Sequence, residues 1–404
     1  MKHRTESTDL MSQSLFSRSF ILIMAITCGV CAGSNYYNQP LIYAMAKSLG
    51  VTVEQSAVTI VISQFAYALG LIVLIPLGDK YSKRKIIISL MVICGLAQIC
   101  ISFSQQLWSL YFFTFIATTF SIASQVLIPF ISSIVESEKM SEIIGTLMSG
   151  LFLGILLARS YAGIITTIAD WHLVYLSSGL LIILLAVVMY FKLPVPTASN
   201  KNLKLMQIYK SMFSIAMHSP QLIRRSCVGA TAFASMILAL STMAFVLANP
   251  PYAFSELYIG FFGFVGAAGV FATKWAGKQI DQAKEKLVAV LGCALLIVQW
   301  LMLYFAQHSL MAYVFGLLCG YSALSMLHVL NQSLILRSAD DTRSRQHSIY
   351  MFIYFMGAAV GSMAGLYAWY HWGWTGCCIV GLAFSLMTVF FDVLDRKHMQ
   401  ASAI

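Results

Sequence analysis

The chain has 404 residues, of which 59% are hydrophobic and only 10% charged, and its formal net charge is +10. A mean hydropathy of +0.80 leaves too little polar surface to cover a water-soluble globule, so the composition excludes that class and favours a membrane protein. All nine cysteines lie in apolar segments, which gives no sign of a disulfide framework.

Apolar stretches of about 20 residues, the length that crosses a bilayer as a helix, recur along the whole chain. Lipid offers no partner for an unpaired backbone group, so each stretch is predicted to be helical and the fold to be all-α. The twelve predicted transmembrane spans, numbered in chain order, are 19–46, 55–77, 86–104, 108–135, 142–168, 173–192, 226–249, 256–277, 287–306, 310–336, 346–369 and 375–391.

The basic residues predict the orientation of these spans. If both termini are cytoplasmic, 23 of the 25 Lys and Arg residues fall on the cytoplasmic side; the exceptions are Lys47 in an outer loop and Arg159 inside a span. The positive-inside rule favours that arrangement. The positive charge then faces the inner leaflet of the membrane, and no nucleic acid is needed to explain it.

A drop in hydropathy between spans 6 and 7 divides the chain into two bundles of six helices, 1–193 and 226–404, joined by a cytoplasmic linker, 194–225. Within the linker, segment 203–216 has apolar residues at helical spacing, opposite lysines. That pattern is typical of a helix on the membrane surface, and a flexible basic tether fits it equally well.

The two halves repeat one another in sequence. Asp79 and Asp281 lie 202 residues apart, each in a short charged turn between two long apolar segments, and an offset of 203 pairs Trp171 with Trp374. A tandem repeat in a membrane protein predicts a transporter, in which two similar bundles enclose a central site.

Glycines recur every three or four residues in three of the spans. Small residues at that spacing let helices approach closely. We expect these glycines to form seams between the two halves, with ordinary packing inside each half as the alternative. They are Gly150 and Gly154 in span 5, Gly260, Gly263, Gly266 and Gly269 in span 8, and Gly357, Gly361 and Gly365 in span 11.

The charged turns after spans 2 and 8 resemble the signature loop of the major facilitator superfamily, approximately G-x-x-x-D-x-x-G-[RK]-[RK]. The matching residues are Asp79, Lys83 and Arg84 in the first turn, where both glycines are replaced, and Gly277 and Asp281 in the second. An Asp at a helix end beside several cations predicts a latch that opens and closes as the halves move. Basic loops that only satisfy the positive-inside rule are the alternative.

Two further runs, 34–40 in span 1 and 154–159 in span 5, resemble a bacterial branch of twelve-span efflux proteins related to drug:proton antiporters and to sugar and nucleoside exporters. This resemblance implies a secondary active transporter with alternating access and proton-coupled export of a small organic molecule. A proton- or sodium-coupled importer of a small metabolite is the alternative. We further expect a monomer in the bacterial inner membrane, with lipid and a small-molecule substrate as partners and with no enzymatic activity, cofactor, metal or nucleic acid.

Polar residues inside the apolar spans are the candidates for a substrate site, because polar groups that faced lipid would be costly. The candidates are Asn35, Asn38, Gln39, Gln64, Tyr67, Gln125, Tyr321, His328 and Gln332. His328 titrates in the physiological range and is a candidate for proton coupling, while a hydrogen bond between helices explains it equally well.

Arg159 lies about two-thirds of the way along span 5. An arginine near the middle of a membrane helix costs about 2.5 to 3.5 kcal/mol on insertion scales, so a partner must compensate it. One interpretation is an outer gate, in which Arg159 reaches Asp170 or Glu256. The other is a binding site, in which Arg159 binds an anionic or zwitterionic group of the substrate or alternates between the substrate and a carboxylate. Glu256 is also the second candidate for proton coupling.

Overall fold

A computed structural model describes residues 18–132, 137–194, 205–336 and 343–401, and the regular structure in these ranges is helical. The first half contains the α-helices Arg18–Gly33, Asn38–Leu49, Val53–Leu74, Leu77–Lys80, Lys83–Ser102, Leu107–Phe120, Ala123–Ser132, Ser137–Ile168 and Trp171–Lys192. The linker contains Leu205–His218, and the second half contains Pro220–Ser241, Met243–Ala248, Glu256–Phe261, Ala267–Asp281, Glu285–Tyr304, Leu310–Leu336 and Arg343–Ala401. Short 3₁₀ turns are Ser34–Tyr36, Phe262–Gly266 and Phe305–Gln307.

Eleven helical segments in these ranges are long and apolar enough to cross a membrane. The last of them, Arg345–His398, has 54 residues and would measure about 80 Å as one helix, whereas the hydrocarbon core is about 30 Å thick. Gly373 interrupts it with a non-helical backbone, φ 61° and ψ −155°, between predicted spans 11 and 12. The all-α membrane fold is therefore confirmed, and the described helices are consistent with twelve spans.

The two ends of the bundle differ in charge. We call the end that carries most of the Lys and Arg residues the basic end, and the opposite end the charge-poor end.

Spans 1 and 5, and likewise spans 7 and 11, pack through small residues between these ends. A Cβ on Gly154 would lie 2.2 Å from the backbone of Gly29, and one on Gly357 would lie 2.2 Å from the carbonyl oxygen of Ala230. The expectation of a seam between the halves is thus wrong for spans 5 and 11, because these glycines bring helices of the same half together.

Span 8 does lie between the halves. A Cβ on Gly260 would lie 2.6 Å from the carbonyl oxygen of Arg159 in span 5, and the hydroxyl of Ser160 donates a hydrogen bond to the Gly260 carbonyl at 3.0 Å. Further along the same span, Gly266 faces the ring of Tyr321 in span 10. The glycines of span 8 therefore allow contact with the other half in one part and with a helix of their own half in another.

Spans 5 and 8 touch at the charge-poor end and diverge towards the basic end. At the charge-poor end, a Cβ on Gly163 would lie 2.7 Å from the carbonyl oxygen of Glu256. Gly145 and Gly277 lie towards the basic end of the same two spans, and no atom of another described helix comes within 4 Å of a Cβ built on either. The structure is therefore closed between these spans at one end and separated at the other.

The linker helix, Leu205–His218, contacts both halves. The hydroxyl of Tyr209 donates to the carbonyl oxygen of Val73 in span 2 at 2.7 Å, and Arg345 at the start of span 11 donates to the hydroxyl of Ser211 at 2.9 Å. One face of this helix exposes large apolar side chains, as expected of a helix on a membrane surface. They are Met206, Phe213 and Met217.

An ionic cluster at the basic end joins the start of span 7 to the end of span 12, and its members are Arg224, Arg225, Asp392, Asp395 and Arg396. Arg225 lies 3.0 Å from the Asp392 carboxylate and 2.6 Å from that of Asp395, which Arg224 also contacts at 2.8 Å. Both carboxylates are fully buried. These charges compensate one another, so the helices continue through them. The helix of span 7 therefore begins before residue 226, and that of span 12 continues after residue 391, the positions where hydropathy predicted the ends of the two spans.

Candidate substrate site

Span 1 is interrupted near its middle by the 3₁₀ turn Ser34–Tyr36. Pro40 has no N–H, so the carbonyl of Tyr36 lacks the donor that a continuous α-helix would supply four residues later. The interruption carries the polar side chains that the sequence singled out, and all of them are buried. They are Asn35, Asn38 and Gln39, with exposed fractions of 2%, 3% and 1%.

Arg159 lies against this part of span 1. Its Nε donates a hydrogen bond to Oε1 of Gln39 at 2.6 Å, and its guanidinium carbon lies 5.1 Å from the ring centroid of Tyr36, in cation–π contact. The residue is only 2% exposed. Within the described ranges, neither terminal nitrogen of the guanidinium donates to a protein acceptor. The charge is thus held in place by a neutral amide and an aromatic ring.

Several buried amides around this point have no partner among the described residues. Both polar atoms of Asn35 and both of Gln64 make no hydrogen bond, and Nε2 of Gln39 makes none. Asn38 is partly satisfied, because its Nδ2 donates to the hydroxyl of Ser63 in span 2 at 3.0 Å while its Oδ1 has no partner among the described residues. An unsatisfied buried polar group costs about 1 to 3 kcal/mol, so a group of them is typical of a site that binds something polar.

Spans 2 and 4 contribute a second contact between polar candidates. Nε2 of Gln125 donates to the hydroxyl of Tyr67 at 3.3 Å, and the Tyr67 ring lies 4.4 Å from that of Phe355 in the other half. The hydroxyls of Thr118 and Ser121 in span 4 instead donate to carbonyls of their own helix. Of these three residues of span 4, only Gln125 therefore makes a described polar contact with another span.

His328, Gln332 and Tyr350 form a second polar group, in spans 10 and 11. Nδ1 of His328 lies 3.0 Å from the Tyr350 hydroxyl, and Nε2 lies 2.9 Å from the amide nitrogen of Gln332. An amide nitrogen can only donate, so with this amide orientation Nε2 carries no proton and Nδ1 carries it. Protonation of Nε2 would require the amide of Gln332 to turn over.

The two carboxylates that the outer-gate interpretation assigns to Arg159 form no described ion pair with it in this conformation. Asp170 begins the helix Trp171–Lys192, where its side chain accepts from the backbone N–H of His172 at 3.0 Å and of Leu173 at 3.3 Å. Glu256 begins the helix Glu256–Phe261, and its backbone packs on span 5 at Gly163, one turn from Arg159.

The structure describes only part of the predicted latch, and the side chain of Asp79 lies outside the described part. Arg84, at the start of span 3, donates to the carbonyl oxygen of Tyr190 in span 6 and lies over its ring, so its contact is inside the first half. Asp79 lies in the short helix Leu77–Lys80. Asp281 is the last residue of its helix and is exposed. The latch stays a prediction.

The family follows from sequence comparison. A family profile described as Major Facilitator Superfamily matches residues 23–362, which is most of the chain. The chain belongs to the major facilitator superfamily. Over 373 residues it is 33% identical to an uncharacterized transporter of Escherichia coli O157:H7, YgaY, and the match covers 92% of this chain and 94% of that one. It is also 24% identical to a probable transporter of Streptomyces coelicolor, SCO4007, with 92% and 86% covered.

Solved structures of this superfamily share the fold. A bacterial homologue of the human lysosomal transporter Spinster, in an inward-facing and occupied conformation, superposes with a TM-score of 0.68 at 13% identity, covering 96% of this chain and 97% of that one. A variant of the nucleoside transporter NupG gives 0.70 at 12% identity, covering 94% and 98%. This superfamily member is therefore a multi-pass membrane transporter, like its relatives.

The site contains residues that the sequence did not single out. Tyr36, Ser63 and Tyr350 each contact a predicted candidate, but nothing in their local sequence separates them from other polar residues in apolar helices. The ionic cluster left a signal, because Asp392 and Asp395 lie three residues apart at the end of an apolar helix. Such a spacing places two carboxylates on one helix face.

Proposed function

We propose that this transporter exports a small organic molecule from a bacterial cell in exchange for protons, by alternating access, with both termini in the cytoplasm. The superfamily supports transport. Export and proton coupling are supported by the resemblance of residues 34–40 and 154–159 to the efflux branch. The cytoplasmic termini are supported by the distribution of Lys and Arg.

The observation that carries the proposal is the group of buried polar residues beside the contact between the halves. Arg159, Gln39 and Asn35 lie on helices of the first half, while Gly260 and Gly263 of the second half pack directly on Arg159. Because spans 5 and 8 touch at the charge-poor end and separate towards the basic end, this conformation corresponds to a site closed to the outside. Rocking of the halves would open it to the other side.

Vesicles reconstituted with the protein test the coupling and its sign. A pH-sensitive dye is trapped inside, the interior is made acidic, and small metabolites are added outside one at a time. An antiporter releases an internal proton as the compound enters, so the interior pH rises faster than in protein-free vesicles. A fall in interior pH on addition would instead identify a symporter, which is an importer in the cell, and would contradict the proposal.

His328 is the proposed site of proton exchange, because its Nε2 can accept a proton if the Gln332 amide turns over. His347 lies in the same helix as Tyr350, three residues before it. We expect His328→Gln to abolish the compound-dependent change in interior pH while leaving counterflow of labelled against unlabelled compound at fixed pH. His347→Gln is the matched control. Unchanged proton movement by well-inserted His328→Gln would remove His328 from this role.

A further inference from the structure

We propose that the substrate of this site is a small organic acid, bound as its monocarboxylate anion by the free edge of the Arg159 guanidinium. This inference rests on the proposed function, because it assigns a chemical class to the molecule that the transporter carries. It chooses between the two interpretations of Arg159 that the sequence left open.

The first argument is charge. Arg159 lies 98% buried inside a membrane helix, and its Nε is already used by Gln39. A buried cation is stable only with compensation, and the amide of Gln39 brings no negative charge. The carboxylates that the structure describes lie at the ends of helices or in the ionic cluster. The residues concerned are Glu54, Asp170, Glu256, Asp281, Glu285, Asp392 and Asp395. An anionic group on the substrate would supply the missing charge.

The second argument is the shape of the free edge. The Tyr36 ring covers one side of the guanidinium and Gln39 occupies Nε, so the two terminal nitrogens are left for a ligand. Two parallel N–H groups in one plane match the two oxygens of a carboxylate. Span 8 packs Gly263 against the stem of Arg159, where a built Cβ would lie 3.4 Å from its Cβ and 3.8 Å from its Cδ, so this position of span 8 adds no side chain beside Arg159.

The third argument concerns the number and sign of the ligand's charges. A zwitterion carries an ammonium group, which would need a carboxylate near the middle of the spans, and none of the described carboxylates lies there. A phosphate dianion would bring two negative charges to one guanidinium. A monocarboxylate leaves the pair neutral, which is the least costly state in a low-dielectric site.

The unpartnered amides indicate what the rest of the molecule contains. Asn35 is adjacent to Tyr36 in the 3₁₀ turn and is 98% buried, and Gln64 in span 2 is fully buried. Each offers a donor and an acceptor that no described residue uses. Hydroxyl or carbonyl groups on the acid would satisfy them, and the ring of Tyr36 favours a flat apolar body beside these groups.

The test compares acids with their own amides, which keep the size and shape and lose the charge. Thermal unfolding of the purified protein is followed with benzoate and benzamide, 4-hydroxybenzoate and 4-hydroxybenzamide, and lactate and lactamide. We expect at least one acid to raise Tm and to bind about tenfold to a hundredfold more tightly than its amide, since one charged hydrogen-bonded contact distinguishes them. Inorganic phosphate is added as a separate arm.

Variants connect the preference to one residue. Arg159→Gln should lose the difference between acid and amide, Arg159→Lys should keep part of it, and Lys47→Gln, which removes an exposed cation at the charge-poor end, should keep all of it. Each variant is first required to elute as a single species and to unfold cooperatively without ligand. The inference is overturned if no acid exceeds its amide, if Arg159→Gln keeps the preference, or if phosphate binds more tightly than every carboxylate.

This measurement is separate from transport. Binding needs neither a proton gradient nor a direction, so acid binding that depends on Arg159 would survive a failure of proton-coupled export. Conversely, transport by a protein that binds acids and amides equally would leave the proposed function standing and remove the anion site.

Discussion

Arg159 and Arg225 are buried to the same degree, each with an exposed fraction of 2%, yet their surroundings are opposite. Arg225 lies within 3.0 Å of two fully buried carboxylates. Arg159 contacts an amide and an aromatic ring, beside amides that have no partner in the described ranges. Burial alone therefore does not indicate function. A compensated charge joins helices, whereas an uncompensated charge among unsatisfied amides is the arrangement expected of a binding site.

The largest expected effect on stability is in the ionic cluster. Asp395→Leu would remove the carboxylate that contacts both Arg224 and Arg225 and leave cationic groups buried with too little compensation. We expect the free energy of unfolding to fall by about 3 to 5 kcal/mol, measured by denaturant or thermal unfolding in detergent. Asp281→Leu is the control, because Asp281 is exposed and should change stability little. Equal stability of the two variants would contradict the structural role of the cluster.

A smaller effect on stability is expected when either of two buried amides on neighbouring spans, Asn38 and Gln64, is replaced. Asn38→Leu loses the hydrogen bond to Ser63 and should destabilise the protein by about 0.5 to 1.5 kcal/mol. Gln64→Leu loses no described hydrogen bond and should unfold at or above the wild-type temperature, while it weakens binding of the acid. If Gln64→Leu is the less stable of the two, its amide has a structural partner and does not belong to the site.

The smallest expected effect on stability is at the predicted latch. Asp79→Asn should leave insertion and thermal unfolding unchanged and should slow transport about tenfold or more, because it would remove the charge-assisted contact on which the predicted latch depends. Asp281→Asn is the matched variant in the other repeat. It should slow transport less, since Asp281 is exposed and no ion pair to it occurs among the described residues. Normal transport by well-expressed Asp79→Asn protein would rule out the latch.

Hydropathy and spacing predicted the fold because a bilayer leaves a helix few alternatives. They misplaced the ends of two spans, where charged residues of different helices form ion pairs. Span 7 begins at Pro220 and span 12 continues beyond residue 391, since Arg225, Asp392 and Asp395 form ion pairs that no single segment reveals.

The sequence predicted the polar candidates as a group, but it did not predict which residue each of them contacts. Nothing in the sequence indicates that Asn38 donates to Ser63 while Asn35 has no partner, because both amides lie in the same apolar segment. Likewise, the regular glycines of spans 5 and 8 look alike, although Gly154 faces a helix of its own half and Gly260 faces the other half. Partner choice depends on how helices far apart in sequence are placed.

The most direct test of the central claim is to compare the thermal unfolding of Arg159→Leu and Arg225→Leu with that of the wild type, with and without the acid that binds best. We predict that Arg159→Leu unfolds at or above the wild-type temperature and no longer responds to the acid. Arg225→Leu should unfold at a clearly lower temperature and still be stabilised by the acid. If Arg159→Leu is destabilised as strongly as Arg225→Leu, Arg159 is a structural residue and the account of the site is wrong.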